Sequence, residues 1–132
     1  RDIIVAIRDK QAGTPISELM SAPIFSVRAE EPISLAPERL ERAHVSGLVV
    51  VDDDWPVGLF TQVEALSCRD LPRETRVEEV MNPGMICLPT TTKVQRAAQQ
   101  VVAMRVRRII AVKNREMQGI LSGIDFARFA AR

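Results

Sequence analysis

The sequence predicts a mixed α+β / α/β fold built from two copies of one β-α-β-β-α unit. Three observations predict it. The chain repeats itself without a gap at an offset of 61 residues. Glu18 meets Glu79, Met20 meets Met81, Ala36 meets Ala97, Val45 meets Val106, Val51 meets Val112 and Gly58 meets Gly119. Each copy holds an unbroken apolar run, Leu48-Val49-Val50-Val51 and Ile109-Ile110-Ala111-Val112, of the kind that forms a strand covered on both faces. Each copy ends in a strand that turns directly into a helix, at Gly58-Leu59-Phe60-Thr61-Gln62-Val63-Glu64 and at Gly119-Ile120-Leu121-Ser122-Gly123-Ile124-Asp125. A hydroxyl stands at each turn, and a carboxylate follows three residues later.

Residues 1–15 read as a lead-in. Ile3, Ile4 and Ile7 share one helical face, and Gly13-Thr14-Pro15 ends it. Ile16 to Met20 reads as a turn of helix and Ile24 to Val27 as a short strand. Ser34 to Ala43 reads as a helix with Leu35 and Leu40 inward. Pro37 falls in its first turn, where a backbone N–H has no intrahelical partner to lose. Leu48 to Val51 is the buried strand. Asp52-Asp53-Asp54-Trp55-Pro56 is an acidic turn, Val57 to Phe60 the returning strand, and a helix starts near Thr61. The polar, proline-containing stretch 68–76 reads as a linker between repeat 1 (16–67) and repeat 2 (77–132). In the second copy Val94, Ala97, Ala98, Val101 and Val102 follow the i, i+3, i+4, i+7, i+8 pattern of one buried helix face.

Composition narrows the function classes. The 132 residues are 46% hydrophobic and 27% charged, an ordinary globular balance, and with 4% aromatics the core must be aliphatic. A net charge of +1 does not suit a nucleic-acid binder. No apolar run nears the roughly 18 residues that span a bilayer. No stretch resembles a secretion signal, and the chain begins at Arg1, so it reads as a fragment or a trimmed chain; two cysteines that make no disulfide framework point to a reducing cytoplasm. Cys68 and Cys87 have neither metal-ligand spacing nor a nearby His, and read as buried inert thiols. Met20 and Met81 read as matched packing residues. Trp55, in a polar turn, is either an exposed contact or a cover for the sheet end.

The order Val-Glu-Glu-Val-Met, short strand, helix, Arg-Arg-Ile-Ile-Ala-Val, polar turn, Gly-Ile-Leu-Ser-Gly-Ile-Asp resembles the CBS domain. The first copy carries the same order as Ile16-Ser-Glu-Leu-Met20, His44-Val-Ser-Gly-Leu-Val-Val-Val-Asp52 and Gly58-Leu-Phe-Thr-Gln-Val-Glu64. The likeness runs from about residue 16 to 131. It implies a tandem CBS pair, a Bateman module, with two repeats packed about a pseudo-twofold axis and two clefts between them. It further implies a homodimer, an adenine nucleotide or related ligand in a cleft, and control of an attached or partner protein.

The resemblance carries Ser122 and Asp125 over as ligand residues, and the chemistry agrees. A carboxylate can accept from both hydroxyls of a ribose cis-diol, while a hydroxyl at a helix start, beside free N–H groups, suits a phosphate. The same pattern is also a capping box, in which both side chains satisfy the helix's own N–H groups. Glu64 departs from the family's Asp, and Glu is the better capping-box residue, so Thr61 and Glu64 form the weaker candidate pair. The family generally pairs the motif of one half with the first strand of the other. That sets Ser122 and Asp125 with Ile24, Phe25, Val45 and Ser46, and Thr61 and Glu64 with Met85, Ile86, Val106 and Arg107. The apolar members either enclose an adenine ring or are simply core. Arg105 and Arg107 either grip phosphate or decorate a helix end, and His44, aligned with Arg105, has the smaller claim.

The expectation is therefore a regulatory, non-enzymatic module sensing AMP, ADP, ATP, S-adenosylmethionine or an NAD-like molecule. No catalytic triad, metal cluster or Gly-rich phosphate loop is present in the sequence. The alternative is a ligand-free dimerisation or scaffold domain whose motifs serve only as caps. Residues 16–67 carry nine acidic and three basic side chains, and residues 77–132 four acidic and nine basic. That asymmetry favours a dimer in which unlike halves face each other.

Overall fold

The computed structural model describes residues 13–131, so the expected lead-in helix at Ile3 to Ile7 lies outside the described residues. The chain forms two compact units. One is Ile24–Pro83; the other comprises the chain up to Pro23 together with Gly84 onward.

In the first unit, strand β1 is Ser26–Arg28, helix α1 Ala36–Ala43, β2 Gly47–Asp52, β3 Trp55–Thr61 and helix α2 Gln62–Ser67. The sheet order is β1-β2-β3, with β1 parallel and β3 antiparallel to the central β2. The second unit repeats this with β4 Met85–Pro89, helix α3 Val94–Met104, β5 Arg108–Lys113, β6 Glu116–Ser122 and helix α4 Gly123–Ala131. Its order is β4-β5-β6, with the same directions. Two repeats, each a three-stranded sheet with helices, make the mixed α+β fold that the duplicated pattern predicted.

The unbroken apolar run behaves as its composition dictates. Leu48, Val49, Val50 and Val51 are all buried. Leu48 and Val50 join the unit's core with Val27, Leu40 and Phe60, while Val49 and Val51, on the opposite face of the strand, are covered as well. Both hairpins close with two-residue turns, Asp53-Asp54 and Asn114-Arg115, whose four residues all have positive φ. Such a turn matches the right-handed twist of the flanking strands, and short polar side chains such as Asp and Asn tolerate the left-handed region best. Helices α1 and α3 also end alike, at His44 (φ 56°) and Arg105 (φ 55°) in the left-handed C-cap conformation. Among the described residues all six with positive φ thus fall in three pairs, 61 positions apart.

The leading turn of each repeat packs in the unit built by the other. The 3₁₀ turn Ile16–Glu18 places Ile16 and Leu19 in the core with Val94, Ile109, Leu121 and Phe126. Ser21 then exchanges backbone hydrogen bonds with Ile120 at the open edge of β6. Likewise the 3₁₀ turn Val77–Glu79 places Val77 in the core of the first unit, and Asn82 exchanges bonds with Leu59 on β3. The strands Gly58 and Gly119 sit on are approached closely there. A Cβ on Gly119 would lie 2.6 Å from the Met20 side chain, and one on Gly58 2.6 Å from that of Met81. Met20 and Met81 are accordingly matched packing residues, half-buried against the two cores.

Two inward assignments are corrected. Leu35 is 38% exposed because it is the N-cap of α1, one residue before the amphipathic pattern starts at Ala36. Val102 is 58% exposed, and the buried stripe of α3 is Val94, Ala97 and Ala98 with Val101 at its margin. A stripe of i, i+3, i+4, i+7 already turns most of one face inward, and the residue at i+8 falls past its edge.

Candidate functional site

Within each unit the candidate residues collect at one end of the sheet. In the first, Ile24 and Phe25 lead into β1, Val45 and Ser46 lead into the parallel β2, and Thr61 ends β3 opposite Gly47. The Phe25 carbonyl accepts from the Val49 N–H at 3.0 Å, which locks the entry of β1 beside that of β2. In the second, Met85 and Ile86 open β4, Val106 and Arg107 precede β5, and Ser122 ends β6 paired with Arg108. The Gly84 carbonyl accepts from the Arg107 N–H at 2.8 Å, fixing the corresponding entry. Parallel pairing of the first two strands with an antiparallel third brings two strand starts and one strand end to the same edge.

The two hydroxyl–carboxylate pairs differ in how far they are closed. Glu64 Oε1 accepts from the Thr61 N–H at 2.8 Å and from Thr61 Oγ1 at 2.6 Å, while Thr61 Oγ1 accepts from the Val63 N–H at 3.2 Å. Thr61 is 6% exposed and Glu64 7%, so this capping box is buried as well as complete. At the other turn Asp125 Oδ2 accepts from the Ser122 N–H at 2.7 Å and stands 3.4 Å from Ser122 Oγ. Both residues are half-buried rather than buried, and Asp125 Oδ1 has no hydrogen-bond partner among the described residues. The shorter Asp reaches back over the first turn of α4 with one oxygen and leaves the other accessible. Gly123, between them, has open space where a Cβ would stand.

The basic candidates are exposed. His44 and Arg105 cap α1 and α3, their N–H groups bonding to helix carbonyls, and Arg107 lies just beyond Arg105. A cation at a helix C-terminus is favoured by the helix dipole whatever else it does. Burial pushes both thiols up, Cys68 and Cys87 alike, so neither carries appreciable thiolate at neutral pH. Trp55 is 44% exposed at the hairpin end.

A further group escaped the sequence reading. Glu31, 8% exposed after β1, takes a two-pronged grip from Arg39 on α1, at 3.0 and 2.6 Å, and the Arg28 N–H at 3.0 Å. Burial raises the Glu31 carboxyl, but the Arg39 hydrogen bond, the Arg28 N–H and the Arg39 charge together hold it below the usual carboxylate value. Beside Arg39 lies a cavity of about 280 Å³ lined by Phe25, Ser26, Arg39, Arg42, Ala43 and Leu48. The signal available was that repeat 1 has only three basic side chains, Arg28, Arg39 and Arg42, and all three fall on β1 and α1.

Duplicated α+β units, each carrying a hydroxyl–carboxylate pair where its last strand turns into its last helix, define a tandem repeat protein with one candidate site per repeat. The chain belongs to the CBS domain family, whose model matches residues 16–69 and again 77–132. An uncharacterized protein of Methanocaldococcus jannaschii, MJ1404, is 22% identical over 135 residues and 89% of this chain. The chain spans about a third (32%) of that protein's length. The CBS domain pair of protein MJ0100, solved with 5′-methylthioadenosine and S-adenosyl-L-methionine, matches with a TM-score of 0.75 at 20% identity, over 89% of this chain and 96% of that one. CBSX2, solved with AMP, matches at 0.72 and 23% identity, over 90% and 97%. These likenesses show the shared fold. No helix among the described residues is long and apolar enough to cross a membrane.

Proposed function

We propose that this CBS pair is a regulatory module that binds an adenosine-containing small molecule and controls an attached or partner protein, rather than an enzyme. The observation that carries this reading is the half-open pair Ser122 and Asp125. One carboxylate oxygen of Asp125 caps the turn and the other remains available, at the N-terminus of a nine-residue helix. A ribose diol would donate to that free oxygen, and Ser122 Oγ with the first N–H groups of α4 would meet a phosphate or other electron-rich group. AMP in CBSX2 and S-adenosyl-L-methionine in the MJ0100 pair support this class of ligand. The strand entries of each unit, Ile24, Phe25, Val45 and Ser46 in one and Met85, Ile86 and Val106 in the other, are candidates for an apolar wall, and Arg105 and Arg107 for phosphate contacts. Thr61 and Glu64 would make the weaker pair, because Glu64 is already committed to its cap.

Asp125→Ala should weaken AMP or S-adenosylmethionine binding by roughly tenfold or more while leaving the fold intact, since it removes a charge-assisted contact worth about 1.5–3 kcal/mol. Titration calorimetry reads the affinity and far-UV circular dichroism the fold; unchanged affinity in a folded variant would sink the assignment. The scaffold alternative draws support from the closed Thr61–Glu64 box and from Val63, Leu66 and Ile124, which are exposed on α2 and α4. Those apolar residues also suit a homodimer, and Val63 and Ile124 occupy matched positions in the two repeats.

A further inference from the structure

The cavity of the first repeat is built entirely from Ile24–Pro83. Its floor is apolar, from Leu48, Ala43 and the half-open ring of Phe25, and its rim is cationic, from Arg39 and Arg42 one helical turn apart on α1. The two guanidinium groups are held differently. Arg39 is fixed by the fork of bonds to Glu31 and leans over the Ser26 carbonyl at 3.5 Å. Arg42 is paired only with Glu38, and that pair is exposed on both sides, 79% and 60%, so it contributes little and exchanges readily. Ser26 lies on the edge strand β1, and its hydroxyl has no partner among the described residues.

The fold does not require this basic rim. At the matched positions of the second repeat, Arg39 and Arg42 become Gln100 and Ala103, and Glu31 becomes Thr92. Repeat 1 is the acidic half of the chain, yet two of its three basic residues line this cavity. An apolar floor under a cationic rim selects a planar apolar body with an anionic group. At about 280 Å³ the cavity takes a single ring with a short substituent.

We infer that this cavity is a second binding site, within the first repeat alone, for a small aromatic anion, its ring on Phe25, Ala43 and Leu48 and its phosphate or carboxylate on Arg42 and Ser26, beside the prearranged Arg39. The site uses nothing from Ser122 or Asp125 and shares only Phe25 with the wall candidates of the adenosyl reading, so Asp125→Ala separates the two.

The test is titration of the ¹⁵N-labelled full chain with phenyl phosphate and benzoate, followed by amide NMR, with uncharged adenosine as a third probe. Both anions should shift Ser26, Ala43 and Leu48. Arg42→Gln, at an exposed position that leaves the fold unchanged, should weaken both by roughly tenfold, the loss of one charge-assisted contact. Asp125→Ala should leave them as they were. A stronger response to phenyl phosphate than to benzoate identifies phosphate as the preferred anion, and the reverse a carboxylate; either supports the site. Absence of shifts at these residues, shifts indifferent to Arg42→Gln, loss on Asp125→Ala, or the same shifts with adenosine in the Asp125→Ala chain would overturn it.

Discussion

Glu31 shows how one residue ties three parts of a repeat together. Its carboxylate clasps Arg39 on α1 and the backbone of β1, and its carbonyl accepts from the Val77 N–H at 2.9 Å. Because the folded carboxyl is held below its ordinary value of 4.5, folding is favoured by the ionised form. That contribution is complete above the unfolded value and is lost as pH falls from about 4.5 through the lowered folded value. Denaturation midpoints measured on acidification should therefore drop more steeply in the wild type than in Glu31→Gln. At neutral pH Glu31→Gln should cost about 1–3 kcal/mol, through a weakened ion pair with the partly exposed Arg39. Parallel acid profiles for the two proteins would remove Glu31 from this role. None of this was legible from sequence, where Glu31 is one of nine acidic residues in its repeat. The Thr61 and Ser122 motifs were legible, because a hydroxyl and a carboxylate three apart need only the local helix start to meet. Their unequal exposure was not.

At the scale of elements, the strand–methionine contacts account for two glycines that share a repeat position. A Cβ on Gly119 would sit 2.6 Å from Met20 Cγ and 2.8 Å from Met20 Cβ, too near the backbone for a simple rotamer change. Gly119→Ala should destabilise by about 1–3 kcal/mol through overpacking, and Met20→Ala in the same chain should recover part of it. Urea denaturation of the two single variants and the double one measures the coupling; purely additive losses would mean the side chains do not conflict. Helix ends and hairpins were readable where chemistry is local, as in Asp53-Asp54 and the Thr61 cap. Strand limits were less so. The first strand is Ser26–Arg28 rather than starting at Ile24, since parallel bonds to β2 set its extent, and those partners lie more than 20 residues away.

For the whole molecule, a ligand that binds only the folded chain must raise its stability. Adenosyl compounds at about a hundredfold excess over Kd should lift the thermal midpoint by roughly 5–10 °C. A panel of AMP, ADP, ATP, S-adenosylmethionine and NAD would rank them in one experiment. No shift with any member, together with a concentration-dependent midpoint, would favour the scaffold reading. The cavity of the first repeat is tested separately, because phenyl phosphate and benzoate lack the ribose that Asp125 would hold.

The sequence alone determined that there are two units, their strand and helix order, and the two motifs, because each rests on periodicity or on contacts a few residues apart. Only the tertiary structure decided where each leading turn belongs. Ile16 and Leu19 complete a core with Val94 and Phe126, and Val77 completes the one around Phe60, each in the unit formed by the other repeat. Either apolar turn fits either core equally well by pattern, since the repeats are alike; the chain's long-range pairing, with Ser21 on β6 and Asn82 on β3, made the choice. The tertiary structure likewise brought Arg39 and Arg42 of α1 together with Phe25 and Leu48 around one cavity, a meeting that no spacing in the chain announces.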